Sequence, residues 1–378
     1  MGFDFLHGLA TFGIIPFLVV LTIIVFFHEL GHFLVARWCG VKVLTFSIGF
    51  GPELFGFNDR HGTRWKVSAI PLGGYVKFFG DENAASVPDH AAAAAMTEDE
   101  RRVSFVHKSV GARSAVVVAG PVANFILSVV IFTGIFMTIG RPLMPARIDE
   151  VVPDSAAAAA GLQAGDVIAA IDGRPVAGFT DMQRIVSGSA GRTLTLTIDR
   201  DGARKEVTAT PTAISFCNAV LGIKKTHADE AKFQAESPDA ALVLGARETY
   251  FVVERSLCFV AGVVVGRESA NQLGGPVGIA KAAGDAWTSG LDSGGLGTAI
   301  GQLIYLSGLL SASIGLLNLF PIPLLDGGHL LFYAIEAVRG RPLSERAQEF
   351  GFRIGLAIVV MLMLFATKND ILARLGIG

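Results

Sequence analysis

The chain has 378 residues, 51% of them hydrophobic and only 17% charged, with a mean hydropathy of +0.54. A soluble globular chain carries about 25% charged residues, so this composition is that of a membrane protein. The net charge of -2 argues against a nucleic-acid partner, which would need a basic face. Cys39, Cys217 and Cys258 share no short spacing and predict neither a disulfide framework nor a thiolate metal site.

Residues 12 to 37 predict the first membrane-spanning helix, apolar from Phe12 to Phe27 apart from Thr22. No Lys or Arg precedes residue 28, and no small-residue cleavage site is present, so this helix is expected to be retained rather than removed as a signal peptide. It runs without a break into His28-Glu29-Leu30-Gly31-His32. Residues four apart share a helix face, so His28 and His32 can bind one metal ion, with Glu29 placed as a general base. Ionisable groups at membrane depth are costly unless they serve a function. About 25 Å of helix separates Thr11 from His28, which puts the motif towards the far side of the bilayer. Arg37 and Lys42 follow and nothing basic precedes, so that side is cytoplasmic and the N-terminus lies outside.

A Gly-rich stretch with β-formers comes next. The runs 65–70 and 75–78 read as two strands joined by a turn at Pro71-Leu72-Gly73-Gly74. Periodicity favours an ordinary cytoplasmic hairpin, although its edge could also receive an extended peptide. Residues 81–102 are polar and Ala-rich and read as a surface loop. The second span runs from about 115 to 139 and contains Gly120-Pro121-Val122-Ala123-Asn124, which either faces the metal cavity or serves helix packing.

From Pro142 to about Pro211 charge rises and short strands alternate. Gly161-Leu162-Gln163-Ala164-Gly165-Asp166-Val167-Ile168 followed by Asp172-Gly173 resembles a bacterial PDZ domain, which the topology places outside the cytoplasm. Such domains bind extended peptides or C-termini by strand addition. Residues 246–266 suit an amphipathic helix on the membrane surface or against the spans, and Gly274-Gly275-Pro276-Val277-Gly278 reads as a break.

The third span, from about 303 to 320, ends in Asn318-Leu319-Phe320-Pro321-Ile322-Pro323-Leu324-Leu325-Asp326-Gly327-Gly328-His329. Two prolines interrupt the helix and deliver Asp326 on irregular backbone. A catalytic zinc site takes three protein ligands and one water, and the first helix offers two. The places where a metzincin would supply a glycine and a third histidine hold Val35 and Trp38, which leaves Asp326 as the expected ligand and His329 as its rival. Asn318 reads as a hydrogen-bond donor to substrate or to an oxyanion, or as a helix-ending amide. A fourth span from about 354 to 366 returns the chain outwards.

Taken together, the HExxH motif in a first span, the PDZ segment and the run from Asn318 to Asp326-Gly327 resemble the site-2 protease family, in its bacterial branch typified by regulator of sigma-E protease. Gly49-Phe50-Gly51, Pro71 to Val76, Gly120 to Asn124 and Gly274-Gly275-Pro276 extend the likeness over nearly the whole chain. The resemblance implies an intramembrane zinc protease of the bacterial inner membrane that cuts transmembrane substrates, an anti-sigma factor or remnant signal peptides among them. It implies His28, His32 and Asp326 as Zn2+ ligands and Glu29 as catalytic base. It also turns the Pro71–Phe78 region into a membrane-reentrant β-hairpin that holds substrate through Pro71, Leu72, Gly73, Gly74 and Tyr75, with Asn124 and Asn318 nearby. One departure stands out: the segment contains a single PDZ domain, whereas the family's best-known enterobacterial member has two.

The expected architecture is a polytopic α-helical membrane protein with about four transmembrane helices, a reentrant β-hairpin and an inserted extracytoplasmic PDZ domain. Its parts are an N-terminal membrane domain (1–140), the PDZ domain (141–213), a linker with a membrane-associated helix (214–300) and a C-terminal membrane domain (301–378). The expected partners are transmembrane protein substrates, the lipid bilayer and a peptide or C-terminus on the PDZ domain. The competing readings are a catalytically inactive PDZ-bearing scaffold and a metal transporter; a transporter would show ligands along a pathway and internal repeats, and the sequence displays neither.

Overall fold

The computed structural model describes residues 13–81, 95–225 and 232–375. The segment before the first span and most of the expected loop at 81–102 lie outside these residues. The chain divides into two compact units, Met1–Phe132 with Gly245–Val252 and Asn271–Gly378, and Thr133–Leu244 with Val253–Ala270.

In the first unit, α1 (Ile14–Trp38) is apolar on all sides and carries the HExxH motif in its C-terminal half. β1 (Val43–Asn58) and β2 (Arg64–Phe78) then pair antiparallel. Their turn is built by Asp59, whose Oδ1 accepts the N–H groups of His61 (2.8 Å) and Thr63 (3.0 Å), and by Gly62 at φ 81°. This corrects the expected hairpin. The runs 65–70 and 75–78 both lie in β2 and do not pair with each other; residues 64–67 and 74–77 flank residues 45–48 of β1 on opposite sides. Residues 71–73 have no ladder partner among the described residues and carry the chain across. Pro71 has no N–H to give and Gly73 sits at φ 126°, so the stretch suits an unpaired corner.

Residues Glu98–Val103, expected as loop, form the short helix α2, started by a capping box between Thr97 and Glu100. α3 (Val110–Thr138) follows with Pro121 inside it. Gly31 lets α1 approach α3 closely, since a Cβ there would collide with the Ala119 carbonyl and come within 2.7 Å of the Ala123 methyl. Phe33, Phe46, Val76, Phe78 and Val116 make the core under the sheet, where Phe46 stacks on Trp65 at 4.2 Å.

The second unit takes the chain through β3 (Arg141–Leu143), β4 (Glu150–Val151), α4 (Ala156–Ala159), β5 (Val167–Ile171), β6 (Arg174–Pro175), α5 (Phe179–Ser187), β7 (Leu194–Arg200) and β8 (Ala203–Ala209). A four-stranded sheet in the order β6-β5-β7-β8 packs Ile168, Ile171, Leu194, Leu196 and Ile198 against Met182 of α5. Burial alone would raise the Asp166 carboxyl, but a paired Arg200 (2.7 Å to each oxygen) and the Gln163 N–H outweigh it and hold the group below the ordinary carboxylate range.

β9 (Thr212–Ser215), β10 (Asn218–Val220), β11 (Ile223–Lys224) and β12 (Lys232–Gln234) follow. β11 pairs with β4 and β12 with β3, so these strands fold back on the ones before them instead of forming a linker. A second correction concerns the cysteines: Cys217 and Cys258 form a disulfide, 41 residues apart, and Cys39 is free. Spacing could not show this, because the helix carrying Cys258 is brought to the β9–β10 hairpin by folding. That helix, α6 (Pro238–Val264), starts eight residues before the expected segment.

Gly275 and Pro276 end the irregular stretch and open α7 (Pro276–Gly294), whose first N–H groups, at Gly275 and Gly278, donate to the Asp370 carboxylate. α8 (Leu296–Asn318), α9 (Asp326–Arg339) and α10 (Glu345–Leu375) complete the first unit. Among the described residues, four helices are long and apolar enough to cross a membrane: Ile14–Trp38, Val110–Thr138, Leu296–Asn318 and Glu345–Ala373.

Candidate metal centre

His28 and His32 lie one turn apart on α1, and their Nε2 atoms face each other at 3.2 Å. Asp326 reaches them from the first turn of α9, with Oδ2 3.2 Å from His28 Nε2 and Oδ1 3.6 Å from His32 Nε2. The backbone between α8 and α9 makes this possible. Pro321 and Pro323 stop the helix, and Leu324 takes the unusual φ of 110°. A Cβ on Gly327 would collide with the carbonyls of Leu319 and Phe320, and one on Gly328 with that of Ile322, so both must be glycine for α9 to start this tightly against the loop.

The far side of each imidazole decides its protonation. His32 Nδ1 lies 2.9 Å from the Val116 carbonyl, which only accepts, so Nδ1 carries the proton and Nε2 a lone pair. The Asn124 amide stands 3.2 Å from His28 Nδ1, while its buried Oδ1 has no hydrogen-bond partner among the described residues. Exchanging the amide oxygen and nitrogen, which differ only by assignment, lets Oδ1 accept from His28 Nδ1–H and frees His28 Nε2 to ligate a metal. Both Nε2 atoms then point bare lone pairs at one another. Asp326 Oδ2 is likewise buried without a hydrogen bond among the described residues. Three donor atoms at 3.2–3.6 Å from one another are spaced to share one cation. Ligands of tetrahedral zinc at about 2.0–2.2 Å stand about 3.3–3.6 Å apart, which these three match. Gly120 keeps the space open, because a Cβ there would fall against His32 Nε2 and lie 2.9 Å from His28 Cε1.

Glu29, next to His28, has its carboxylate approached by the Val76 N–H. Gly74 permits this approach: a Cβ there would come within 3.0 Å of Glu29 Cγ and 2.8 Å of the Ser47 carbonyl. A cavity of about 200 Å³ opens on the centre and is lined by Glu29, the three donor residues, Gly74, Tyr75, Val76, Val117, Asn318 and His329, among others. Pro121 offers no N–H to the Val117 carbonyl four residues earlier, so the helix is loosened where it lines this cavity.

Of the residues singled out in the sequence, Gly74, Tyr75 and Asn318 lie on the cavity wall. Pro71, Leu72 and Gly73 form the unpaired corner and are not on that wall. Asn124 sits behind His28, fully buried, rather than in the cavity. His329, the rival ligand, lines the cavity but is not among the three residues whose donor atoms lie within 4.8 Å of one another. Gly120 and the Val116 carbonyl were not legible beforehand. The GPxxN run was the signal, but it did not reveal which group each residue serves.

Spanning helices with a His–His–carboxylate centre and an adjacent Glu define a membrane-embedded metallohydrolase architecture. The sequence model of peptidase family M50 matches residues 16–362, and the chain belongs to that family. It is 46% identical, over 98% of both chains, to a protein of Agrobacterium fabrum named "Putative zinc metalloprotease Atu1380". A similarly named protein of Mesorhizobium japonicum is 47% identical over 95% of this chain and 98% of its own. Metalloprotease MmpA of Caulobacter vibrioides is 40% identical over 95% of both.

Proposed function

We propose that this chain is a zinc metalloprotease that hydrolyses peptide bonds within or near transmembrane segments of membrane proteins. The observation that carries the reading is the triangle of donor atoms from His28 and His32 on the first span and Asp326 on α9, beside Glu29. A zinc ion held there would supply Lewis acidity to the scissile carbonyl and to the attacking water. Glu29 takes a proton from that water and returns it to the leaving amine. The Val76 N–H orients the Glu29 carboxylate for this task.

A transmembrane substrate must unwind to be cut, and its freed backbone groups need partners. The segment 74–78 pairs with residues 43–48 on one side, and its Val76 N–H points to Glu29 on the other, so an extended substrate laid there would have its carbonyl beside the base. Leu54, Phe55 and Phe57 of β1 are 61–66% exposed, which suits a sheet dipping into lipid. We assign the cytoplasmic side to the ends marked by Arg37, Lys42, Lys108, Arg113, Arg339 and Arg341, and the outer side to the second unit. The disulfide in that unit fits an oxidising compartment outside the bacterial inner membrane. The β4–β8 module would act there as a PDZ-type binder of an extended peptide or C-terminus.

The test compares wild type, Glu29→Gln and Asp326→Ala with a tagged single-span substrate in membranes. Wild type is expected to cut, Glu29→Gln to bind zinc without cutting, and Asp326→Ala to lose zinc. Full cleavage by Glu29→Gln would sink the mechanism.

A further inference from the structure

His329 lines the cavity of the centre and has not yet been given a task. His329 stands three residues after Asp326 on α9, hence on the same face and one turn further along the helix. Its backbone N–H is spent on the Leu325 carbonyl, and its ring stands on the cavity wall within electrostatic reach of Asp326 and His32. The ring packs 5.5 Å from the Phe352 ring and 6.5 Å from that of Tyr333. A neutral imidazole always carries one N–H, and one that faces a cavity is available to a polar group entering it. His329 is not a fourth ligand: it stands outside the donor triangle, and a catalytic zinc site keeps its fourth position open.

Resting on the metalloprotease reading, we infer that His329 donates a hydrogen bond to the scissile carbonyl oxygen as that atom becomes an oxyanion. In the reaction, the water oxygen bonds to the carbonyl carbon while Glu29 takes one of its protons, and the carbonyl π pair moves onto oxygen. The C–N bond then breaks as the pair returns, and the amine nitrogen takes the proton from Glu29. His329 loses no proton in either step. Its N–H meets charge that exists only between them, so it lowers the barrier without strengthening ground-state binding. Tyr333 and Phe352 fix the ring in advance, so the donor need not reorganise.

The experiment uses the full chain in membranes or detergent, with His329→Phe, which keeps the aromatic packing without the donor, and His329→Gln, which keeps a donor. Zinc per chain, kcat and KM on a single-span substrate, and the Kd of a phosphinic peptide whose P–O⁻ imitates the oxyanion are measured. For His329→Phe we expect full zinc, KM within about twofold, and losses of roughly 10²-fold both in kcat and in phosphinate affinity. His329→Gln is expected to recover part of both. Wild-type kcat in His329→Phe, or zinc loss matching that of Asp326→Ala, overturns the inference while leaving the protease reading intact. A wild type that neither holds zinc nor cuts overturns that reading, and this inference with it.

Discussion

Gly120 holds the space that two imidazoles need. The His32 ring cannot retreat from an added methyl, because its Nδ1 is tied to the Val116 carbonyl at 2.9 Å. Gly120→Ala should therefore leave the spans folded but lower zinc affinity by about 10–100-fold, the range for disturbing groups that orient a ligand. Zinc retained per chain against a graded chelator measures it, and wild-type retention would show that the ring has another way out. His28, Glu29 and His32 were legible because a helix makes spacing equivalent to direction. Asp326 was legible because coordination arithmetic demanded a third donor. Asn124 and Val116 were not, since they act on imidazoles 96 and 84 residues away and nothing in the sequence states which way they turn.

At the scale of elements, the centre depends on α9 keeping its height and rotation. Asp326, His329, Tyr333 and Glu336 recur at helical spacing and form one stripe along α9. Its far end is fixed to α3 by Arg113, whose guanidinium lies 2.5 Å from Glu336 and 4.7 Å from the centre of the Tyr333 ring. Both partners are only 12–15% exposed, so removing one leaves a poorly solvated charge at a cost of about 3–5 kcal/mol. Glu336→Gln is expected to lower Tm and, by freeing α9, to weaken zinc retention. The exchanged pair Arg113→Glu with Glu336→Arg should restore part of both, and equal loss in the single and double variants would remove the pair from the account. Hydropathy located all four spans but missed their ends, for polar caps such as Glu345 extend a helix beyond its apolar window. The hairpin was misplaced for a chemical reason: Pro71 to Gly74 looked like the stronger turn, yet Asp59 and Gly62 had the side-chain acceptor and the permissive backbone that close one.

For the whole molecule, sidedness is the property that composition only implied, through the cations at span ends. Under the proposed topology the disulfide is a chemical marker for one side, and Cys39, at the end of α1, for the other. Its partners escaped the sequence reading because 41 residues and several elements separate them, whereas spacing rules see only local pairs. Cys217 and Cys258 should resist alkylation in unreduced membranes and react after reduction, giving one modified thiol before and three after on a denaturing gel. In right-side-out vesicles, an impermeant reductant followed by an impermeant maleimide should modify those two and spare Cys39; in inverted vesicles only Cys39 lies on the accessible side. Three free thiols without reductant would remove the disulfide, and labelling of all three from one face would overturn the topology. The two outcomes separate because pairing is read after denaturation and sidedness before it. Outer-face labelling of Cys217 after reduction would support the proposed extracytoplasmic second unit, and inner-face labelling of Cys39 the proposed cytoplasmic end of α1.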